Sequence, residues 1–178
     1  HTDLPMTAPF SEDGPAWNRP HGYIDAHVHL REVAAIEDIV KAGITAVRDA
    51  GTVRGTALVF HRAAQGDDLP RVRSAGRALV KRGGYGAHLG IEVATQEEIE
   101  REIEALRQQG AAIIKVIASG VVSLKRPGTI TAGGFDSDEL RVIVAAARRQ
   151  GLSVMAHANG ADAVRRAADA GVASVEHG

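Results

Sequence analysis

The chain has 178 residues, of which 44% are hydrophobic and 24% charged, and its formal net charge of −1 gives no overall attraction to nucleic acid or to a membrane surface. It contains no cysteine, which excludes disulfides, thiolate metal ligands and a cysteine nucleophile. No segment has the unbroken apolar length of a membrane span or the residue order of a signal peptide, so we expect a cytoplasmic protein with one sizeable core.

Strand-like and helix-like segments alternate along most of the chain. Residues 1–21 are rich in proline and polar side chains, show no periodicity and predict an irregular N-terminal arm. After the arm, apolar runs predict six strands, at 22–29, 44–51, 70–79, 111–119, 152–157 and 173–177. The periodic segments between them predict five helices, at 31–43, 55–66, 96–110, 136–151 and 160–170.

The alternation of strands and helices predicts an α/β fold with right-handed crossovers, either an open doubly wound sheet or a closed barrel. The expected strands are rich in valine, isoleucine and alanine, which is typical of parallel strands buried on both faces. Two longer loops interrupt the alternation, the glycine-rich segment 80–93 and the segment 120–135. A closed (βα)8 barrel typically needs about 250 residues. On the barrel interpretation, residues 22–178 therefore form about six βα units of an incomplete barrel.

Five side chains with metal-binding chemistry lie at or near the C-terminal ends of predicted strands. They are His27, His29, Lys115, His157 and His177. His27 and His29 are two residues apart on one strand and therefore point to the same face. A parallel barrel brings all its strand ends to one mouth, where such barrels carry their active sites. Imidazoles without thiolates are typical of a catalytic site for zinc or another divalent metal.

Lys115 is unusual because its neighbours on both sides are apolar. Lysine is almost never buried without a partner, and burial lowers its pKa, which leaves a neutral and nucleophilic amine. Such an amine reacts with carbon dioxide to give a carbamate, an anion able to bridge two cations. The alternative is a lysine whose stem is covered while its ammonium group extends out of the barrel mouth.

The segments GYIDAHVHL, AGITAVRDAG, IKVIASG, VMAHANG and SVEHG, in this order, resemble the amidohydrolase superfamily and its imidazolonepropionase- and prolidase-like branch. The resemblance implies a TIM-type (βα)8 barrel with a site for two divalent metal ions, which we expect to be zinc. It also implies a role for each of the five residues. His27 and His29 bind the more buried metal, carboxylated Lys115 bridges both metals, and His157 and His177 bind the more exposed one.

The resemblance covers about residues 22–178 and implies metal-assisted hydrolysis of an amide or peptide-like C–N bond. The expected form is a dipeptidase or acyl-amino-acid hydrolase with a small-molecule or dipeptide-like substrate. Two family features have no counterpart in this sequence: a small β-sandwich before the barrel, and an aspartate at the end of the eighth strand that accepts the proton. We therefore expect this chain to be inactive alone. The alternatives are a barrel fragment that associates with another chain, such as a second copy, and a deaminase or cyclic amidase on the same scaffold.

Five further residues are weaker candidates. Tyr85 and His88 lie in the glycine-rich loop after the third predicted strand, where barrel loops carry specificity. Arg126 lies in the loop after the fourth predicted strand and is a candidate partner for a substrate carboxylate. Asp49 ends the second strand, where we expect a turn, a helix cap or support for a ligand. Asn159 is expected to cap the following helix.

Overall fold

The computed structural model describes residues 22–32, 34–63 and 70–178, and it leaves the side chains of residues 61–63 undescribed. The arm expected at residues 1–21 lies outside these ranges. The elements in chain order are β1 Tyr23–Val28, α1 Ala35–Lys41, β2 Ile44–Asp49, α2 Ala57–Ala63, β3 Arg71–Ser74, β4 Ala78–Lys81, a short 3-10 helix Ala87–Leu89, β5 Gly90–Val93, α3 Gln96–Gln109, β6 Ile114–Ile117, α4 Ser137–Arg149, β7 Val154–His157, α5 Ala161–Ala170 and β8 Ser174–Glu176.

The strands form two sheets in which every neighbouring pair is parallel. One sheet has the order β1-β2-β3 and the other the order β5-β4-β6-β7-β8. A hydrogen bond from Ala112 N to Ser74 O, 2.9 Å long, joins the end of β3 to the segment that leads into β6. The parallel direction places the C-terminal ends of β1, β2, β6, β7 and β8 on one side of the molecule, where the candidate residues lie.

The largest apolar core lies between helices α3, α4 and α5 and strands β4, β6 and β7. All residues of β6 and β7 are buried, as expected for parallel strands that are covered on both faces. A second apolar cluster joins β2 and β3 to α1 and α2 through residues that include Ile36, Val47, Phe60 and Val72. Among the described residues, no helix is both long enough and apolar enough to span a membrane.

The prediction of one strand over residues 70–79 is wrong. The chain forms two strands there, β3 and β4, separated by residues 75–77. Gly76 between them has φ +69°, a left-handed conformation that a continuous strand does not contain. The apolar pattern of the segment gave no sign of this break, because alanine and glycine are compatible with a strand and with a bend.

The glycine-rich segment 80–93 also differs from the expected loop, because it contains β5. Gly90 pairs with Ala78 of β4, and a Cβ atom at Gly90 would lie 1.8 Å from the Ala78 carbonyl oxygen. Only glycine allows this close approach of the two backbones.

The expectation that every strand is buried on both faces fails for β1. Tyr23 is 76% exposed and Ile24 is 72% exposed. The physical reason is that β1 pairs only with β2 among the described strands, so it lies at the edge of its sheet.

Candidate active site

Four histidine rings form a continuous row at the C-terminal ends of β1, β7 and β8. The ring centres of His29 and His27 are 5.4 Å apart, those of His27 and His177 are 4.8 Å apart, and those of His177 and His157 are 5.0 Å apart. We call these four rings the imidazole row. The expected convergence of the four histidines is therefore present in the structure, although the rings belong to strands at both ends of the chain. His177 has φ +75°, a conformation that is uncommon for residues other than glycine and that occurs at functional sites.

Lys115 lies one layer deeper than the end of β7. It pairs in register with Met155, whereas Ile117 pairs with His157. Its side chain is 1% exposed, and its Nζ has no hydrogen-bond partner among the described residues. Burial lowers the pKa of Lys115 to about 8, while the charge of Glu176 acts in the opposite direction. The expected burial of this lysine is observed, and the amine is neutral in a substantial fraction of molecules near pH 8.

The hydrogen bonds of three histidines define which ring nitrogen is left for a ligand. His29 Nδ1 donates to the Gly51 carbonyl oxygen at 2.5 Å, and His27 Nδ1 donates to Glu176 Oε2 at 2.6 Å. His157 Nε2 donates to the Gly120 carbonyl oxygen at 3.1 Å. In each neutral ring, the nitrogen that donates this bond carries the proton, so the other nitrogen keeps a free lone pair. Metal-binding histidines are commonly oriented by a hydrogen bond of this kind.

Electrostatics also favour neutral imidazoles in the row. Burial, followed by the charge of Lys115, lowers the pKa of His177. Burial also lowers the pKa of His157, although its hydrogen bond with the Gly120 carbonyl opposes this. Burial likewise lowers the pKa of His27, although the hydrogen bond with Glu176 opposes this. Neutral imidazole is the form that binds a metal.

Glu176 and Arg48 are site residues that the sequence reasoning missed. Glu176 is 7% exposed, and its carboxylate accepts hydrogen bonds from His27, from Ser174 Oγ at 2.7 Å and from Arg48 Nη2 at 2.8 Å. Burial alone raises the pKa of Glu176, but the bonds from His27 and Ser174 and the charge of Arg48 bring it below its usual value. The sequence feature that could have indicated Glu176 is its position directly before a histidine at the end of the apolar segment ASVEH. Arg48 gave no comparable signal.

Asp49 supports the chain on either side of the site. Its side chain is fully buried, its Oδ1 accepts from Leu30 N at 2.9 Å, and its Oδ2 accepts from Ser74 Oγ at 2.6 Å. Burial raises the pKa of Asp49 despite these hydrogen bonds. Because Leu30 directly follows His29, Asp49 fixes the backbone that carries this imidazole, in agreement with the expected supporting role.

The weaker candidates divide into two groups. The Tyr85 ring lies 5.8 Å from the His157 ring, beside the imidazole row. The His88 ring lies 5.7 Å from the Tyr85 ring, and His88 lines a cavity together with His29. Arg126 lies on an exposed loop, and within the described ranges no hydrogen bond or ion pair joins its side chain to the row. The structure thus brings Tyr85 and His88 to the site but not Arg126.

The prediction that Asn159 caps the following helix is wrong. Gly160 occupies the N-cap position of α5, and no side chain caps that helix end. The Asn159 amide instead donates from Nδ2 to the Gly120 carbonyl oxygen at 3.1 Å. It therefore shares the acceptor of His157 and helps to hold that ring, because the two side chains approach the same loop.

The donor set fits a divalent metal, although it does not form a complete coordination shell. Among the described residues, no group of three or more histidine, aspartate and glutamate side chains is arranged to hold a metal ion. Such a site needs donors of two kinds that are present here. One is the buried Lys115 Nζ, which has no hydrogen-bond partner in the described ranges, and the others are the imidazole nitrogens left by the fixed tautomers. Carboxylation of Lys115 would add an anionic ligand to this set of imidazoles.

The fold and the site define the class of protein. A sequence profile of the amidohydrolase family matches residues 22–178, and the chain belongs to this family. A solved structure of an amidohydrolase is 31% identical, with a TM-score of 0.75 over 88% of this chain and 48% of that one. A prolidase solved in complex with N-methylphosphonate-L-proline is 28% identical, with a TM-score of 0.76 over 88% of this chain and 47% of that one. Residues 22–178 are therefore part of the TIM-type barrel expected from the sequence.

Curated proteins are also similar to parts of this chain. An uncharacterized protein of Mycobacterium tuberculosis is 26% identical over 174 residues, which cover 91% of this chain and 45% of that protein. The ochratoxinase of Aspergillus niger is 40% identical over 81 residues, which cover 46% of this chain and 17% of the enzyme. The chain thus spans less than half of the length of the curated relatives that it matches.

Proposed function

We propose that the complete protein is a metal-dependent hydrolase of amide or peptide-like bonds, with dipeptides or N-acyl amino acids as substrates. The observation that carries the proposal is the buried Lys115 amine, which has no hydrogen-bond partner among the described residues and whose charge acts on the row of four imidazoles. No structural role explains such a lysine, because an unpaired buried amine destabilises the fold. The similarity to a prolidase complexed with a proline phosphonate supports a substrate of the dipeptide class.

Five residues would hold the metals in this proposal: His27, His29, Lys115, His157 and His177. When bound, the metals would lower the pKa of a bound water to about 7 and polarise the scissile carbonyl. The fixed tautomers direct His27 Nε2, His29 Nε2 and His157 Nδ1 toward ligand binding. Zinc is the metal that we propose, because a histidine-rich set without thiolates suits it.

Lys115 would act as a carbamate. Its neutral amine attacks the carbon of carbon dioxide, a new N–C bond forms and one proton leaves to solvent. The carbamate product has one negative charge, whereas the reacting amine is neutral. In the deep layer beneath the imidazole row, this anion would be stabilised by cations rather than destabilised by burial. The lowered pKa of Lys115, about 8, makes the neutral amine available for the reaction.

Glu176 and Arg48 position the site instead of touching the substrate. Glu176 accepts the Nδ1 proton of His27 and so fixes the ring orientation, as carboxylates do for metal-bound histidines. Arg48 neutralises Glu176 and also donates from Nε to the Ala26 carbonyl oxygen at 2.7 Å. This arrangement links β8 to β1 and β2 at the mouth.

The test uses the complete protein and compares Lys115→Met with Lys125→Met, a matched variant at an exposed lysine in the loop after β6. We expect about two divalent metal ions per barrel and hydrolysis of some members of a panel of dipeptides and N-acyl amino acids. Lys115→Met should lose metal and activity together, whereas Lys125→Met should retain both. Full activity in Lys115→Met would remove the carbamate from the mechanism, and activity without any metal would overturn the proposal.

A further inference from the structure

Three side chains donate to the main-chain carbonyl oxygen of Gly120, the acceptor that orients the His157 ring. The donors are His157 Nε2 at 3.1 Å, Asn159 Nδ2 at 3.1 Å and Ser119 Oγ at 2.9 Å. Gly120 is buried, and Ser119 is only 4% exposed. We call Ser119, Gly120 and Asn159 the Gly120 clamp. Two side chains therefore hold the atom that in turn holds a proposed metal ligand.

Ser119 joins the ends of two strands through its hydroxyl group. The hydroxyl donates to the Gly120 carbonyl oxygen after β6, and it accepts from Asn159 N at 2.8 Å after β7. A buried serine whose hydroxyl both donates and accepts has its polar group fully used. Its removal would leave a backbone N–H without a partner, which costs more than the lost bond alone. Ser119 thus fixes the separation between the acceptor carbonyl and the chain that carries His157.

The Asn159 amide lies at equal distances from two atoms that could accept its proton. Its Nδ2 is 3.1 Å from the Gly120 carbonyl oxygen and 3.1 Å from His157 Nε2. Straight hydrogen bonds to both are excluded, because the two N–H bonds of an amide diverge more widely than these two directions. When Nε2 carries the ring proton, His157 and Asn159 both donate to the carbonyl oxygen. When Nδ1 carries it, one of these two hydrogen bonds is lost, so the clamp favours the tautomer with Nδ1 free.

The loop after β6 fixes the direction of the Gly120 carbonyl from the other side. Thr131 N donates to the Val121 carbonyl oxygen at 2.9 Å, and Val121 N donates to Thr131 Oγ1 at 3.0 Å. A Cβ atom at Gly120 would lie 1.9 Å from the Thr131 carbonyl oxygen, so the two backbones are in close contact. The clamp therefore fastens a closed loop, and not a free chain end, to the His157 ring.

The other end of the imidazole row is held by different partners. His29 donates to the Gly51 carbonyl oxygen, and His27 donates to Glu176. Within the described ranges, no hydrogen bond or ring contact joins the side chains of the clamp to either of these histidines. A disturbed clamp should therefore affect the His157 end of the row and leave the His27 and His29 end unchanged.

We propose that Ser119 and Asn159 are positioning residues that act through the Gly120 carbonyl on the ring of His157. They keep Nδ1 of this ring free, and they set the affinity for the metal at His157 without changing that of the metal at His27 and His29. The inference rests on the proposed two-metal hydrolase, and it divides that metal centre into two halves that are held independently.

The first test measures the His157 tautomer in the metal-free complete protein. In protein with ¹⁵N-labelled histidine, at a pH where the imidazoles are neutral, the ring nitrogen shifts distinguish protonated from free nitrogens. The signals of His157 are those that disappear in His157→Gln. We expect the unmodified protein to show one tautomer, with the proton on Nε2. Asn159→Ala and Ser119→Ala should show both tautomers, because a ring without a fixed acceptor exchanges its bond with water.

Two variants control for a general loss of structure. Ser123→Ala removes a hydroxyl from the same loop, one that accepts from Arg126 N at 3.1 Å, and should leave the His157 signals unchanged. Ser119→Thr retains the hydroxyl and should keep the single tautomer. If Ser119→Ala does not fold, Asn159→Ala at its half-buried position decides the test. An unchanged single tautomer in Asn159→Ala would overturn the clamp, whether or not the protein binds metal.

The second test measures zinc affinity by competition between the complete protein and a coloured chelator. The unmodified protein and Ser123→Ala should bind about two zinc ions per barrel. In Asn159→Ala, one zinc ion should bind with unchanged affinity and the other at least about tenfold more weakly. Equal weakening of both ions would overturn the independence of the two halves. No zinc binding by the unmodified protein would overturn the two-metal hydrolase, whereas the tautomer measurement would still decide whether the clamp orients His157.

Discussion

At the scale of single residues, the site depends on a lysine whose burial is costly. Lys115 is 1% exposed. The negative charge of Glu176 raises the pKa of Lys115, but the Glu176 carboxylate is already bonded to His27 and Arg48. A residue of this kind persists where a ligand or a modification compensates it. In the metal-free and unmodified protein, the cost of its burial should be measurable as lost stability.

We predict that Lys115→Met stabilises the metal-free complete protein at pH 7. The folded pKa is about 8 and the ordinary value is 10.5, so the unfolded chain binds more protons between these values. The free energy of unfolding of the unmodified protein therefore rises with pH between about 8 and 10.5. Below pH 8, burial of the charged Lys115 lowers this free energy by its full amount, about 3 kcal/mol. Urea unfolding between pH 7 and pH 10 in buffer free of carbon dioxide measures the difference, which should shrink as pH rises.

Lys125→Met is the control for this measurement, because Lys125 is exposed. The difference in stability between this variant and the unmodified protein should not change with pH. A difference between Lys115→Met and the unmodified protein that stays constant with pH would contradict the assigned burial effect.

The positions of the five ligand-type residues were predictable because parallel strands deliver their C-terminal ends to one mouth. Glu176 and Arg48 were not predictable in the same way. Their contact depends on how β8 approaches β1 and β2, and a single sequence contains no information on that distance. The depth of Lys115 relative to His157 likewise depends on strand register.

At the scale of elements, the sequence predicted the long helices and the buried strands better than the region around β4 and β5. The helices expected at 96–110 and 160–170 are present as α3 and α5, and their ends lie within a residue or two of those predicted. The strand β5 was missed because its apolar signal is only GIEV within a glycine-rich segment. Its pairing is set by a backbone contact at Gly90, which hydrophobic periodicity does not detect.

We predict that Gly90→Ala strongly destabilises the complete protein. The new methyl group would lie 1.8 Å from the Ala78 carbonyl oxygen, so β4 and β5 would have to separate. We expect a loss of roughly 3 kcal/mol or more in the free energy of unfolding, measured by urea denaturation.

Gly43→Ala is the comparison variant. Gly43 has φ +74°, and a Cβ atom at this position would have no described atom within 4 Å. The substitution should therefore lower the free energy of unfolding only through the strained backbone conformation, by about 1 kcal/mol. Equal losses in the two variants would show that β4 and β5 do not approach as closely as described.

At the scale of the whole molecule, β1 lies at the edge of its sheet among the strands that the structure describes. The described strands leave one side of β1 without a neighbour, and side-chain bonds rather than a backbone ladder join its sheet to β8. Exposed Tyr23 and Ile24 lie on this edge strand. An open, apolar edge of this kind favours pairing with another strand.

We therefore propose that the 178-residue chain, studied alone, associates with a second copy through β1. Light scattering should give a mass above 18.7 kDa that rises with concentration. Ile24→Lys places a charge on the edge and should shift the mass towards that of one chain. The same mass for both proteins at every concentration would exclude this edge as the contact.

The hydrogen bond between His27 and Glu176 also has a kinetic consequence. The two residues are separated by 149 positions along the chain, whereas each βα unit joins residues that are close in sequence. Contacts between distant residues form slowly, because the intervening chain loses entropy before the contact contributes any stability. The imidazole row should therefore assemble in the last steps of folding. A metal ion added during refolding should then slow unfolding of the finished protein much more than it accelerates folding.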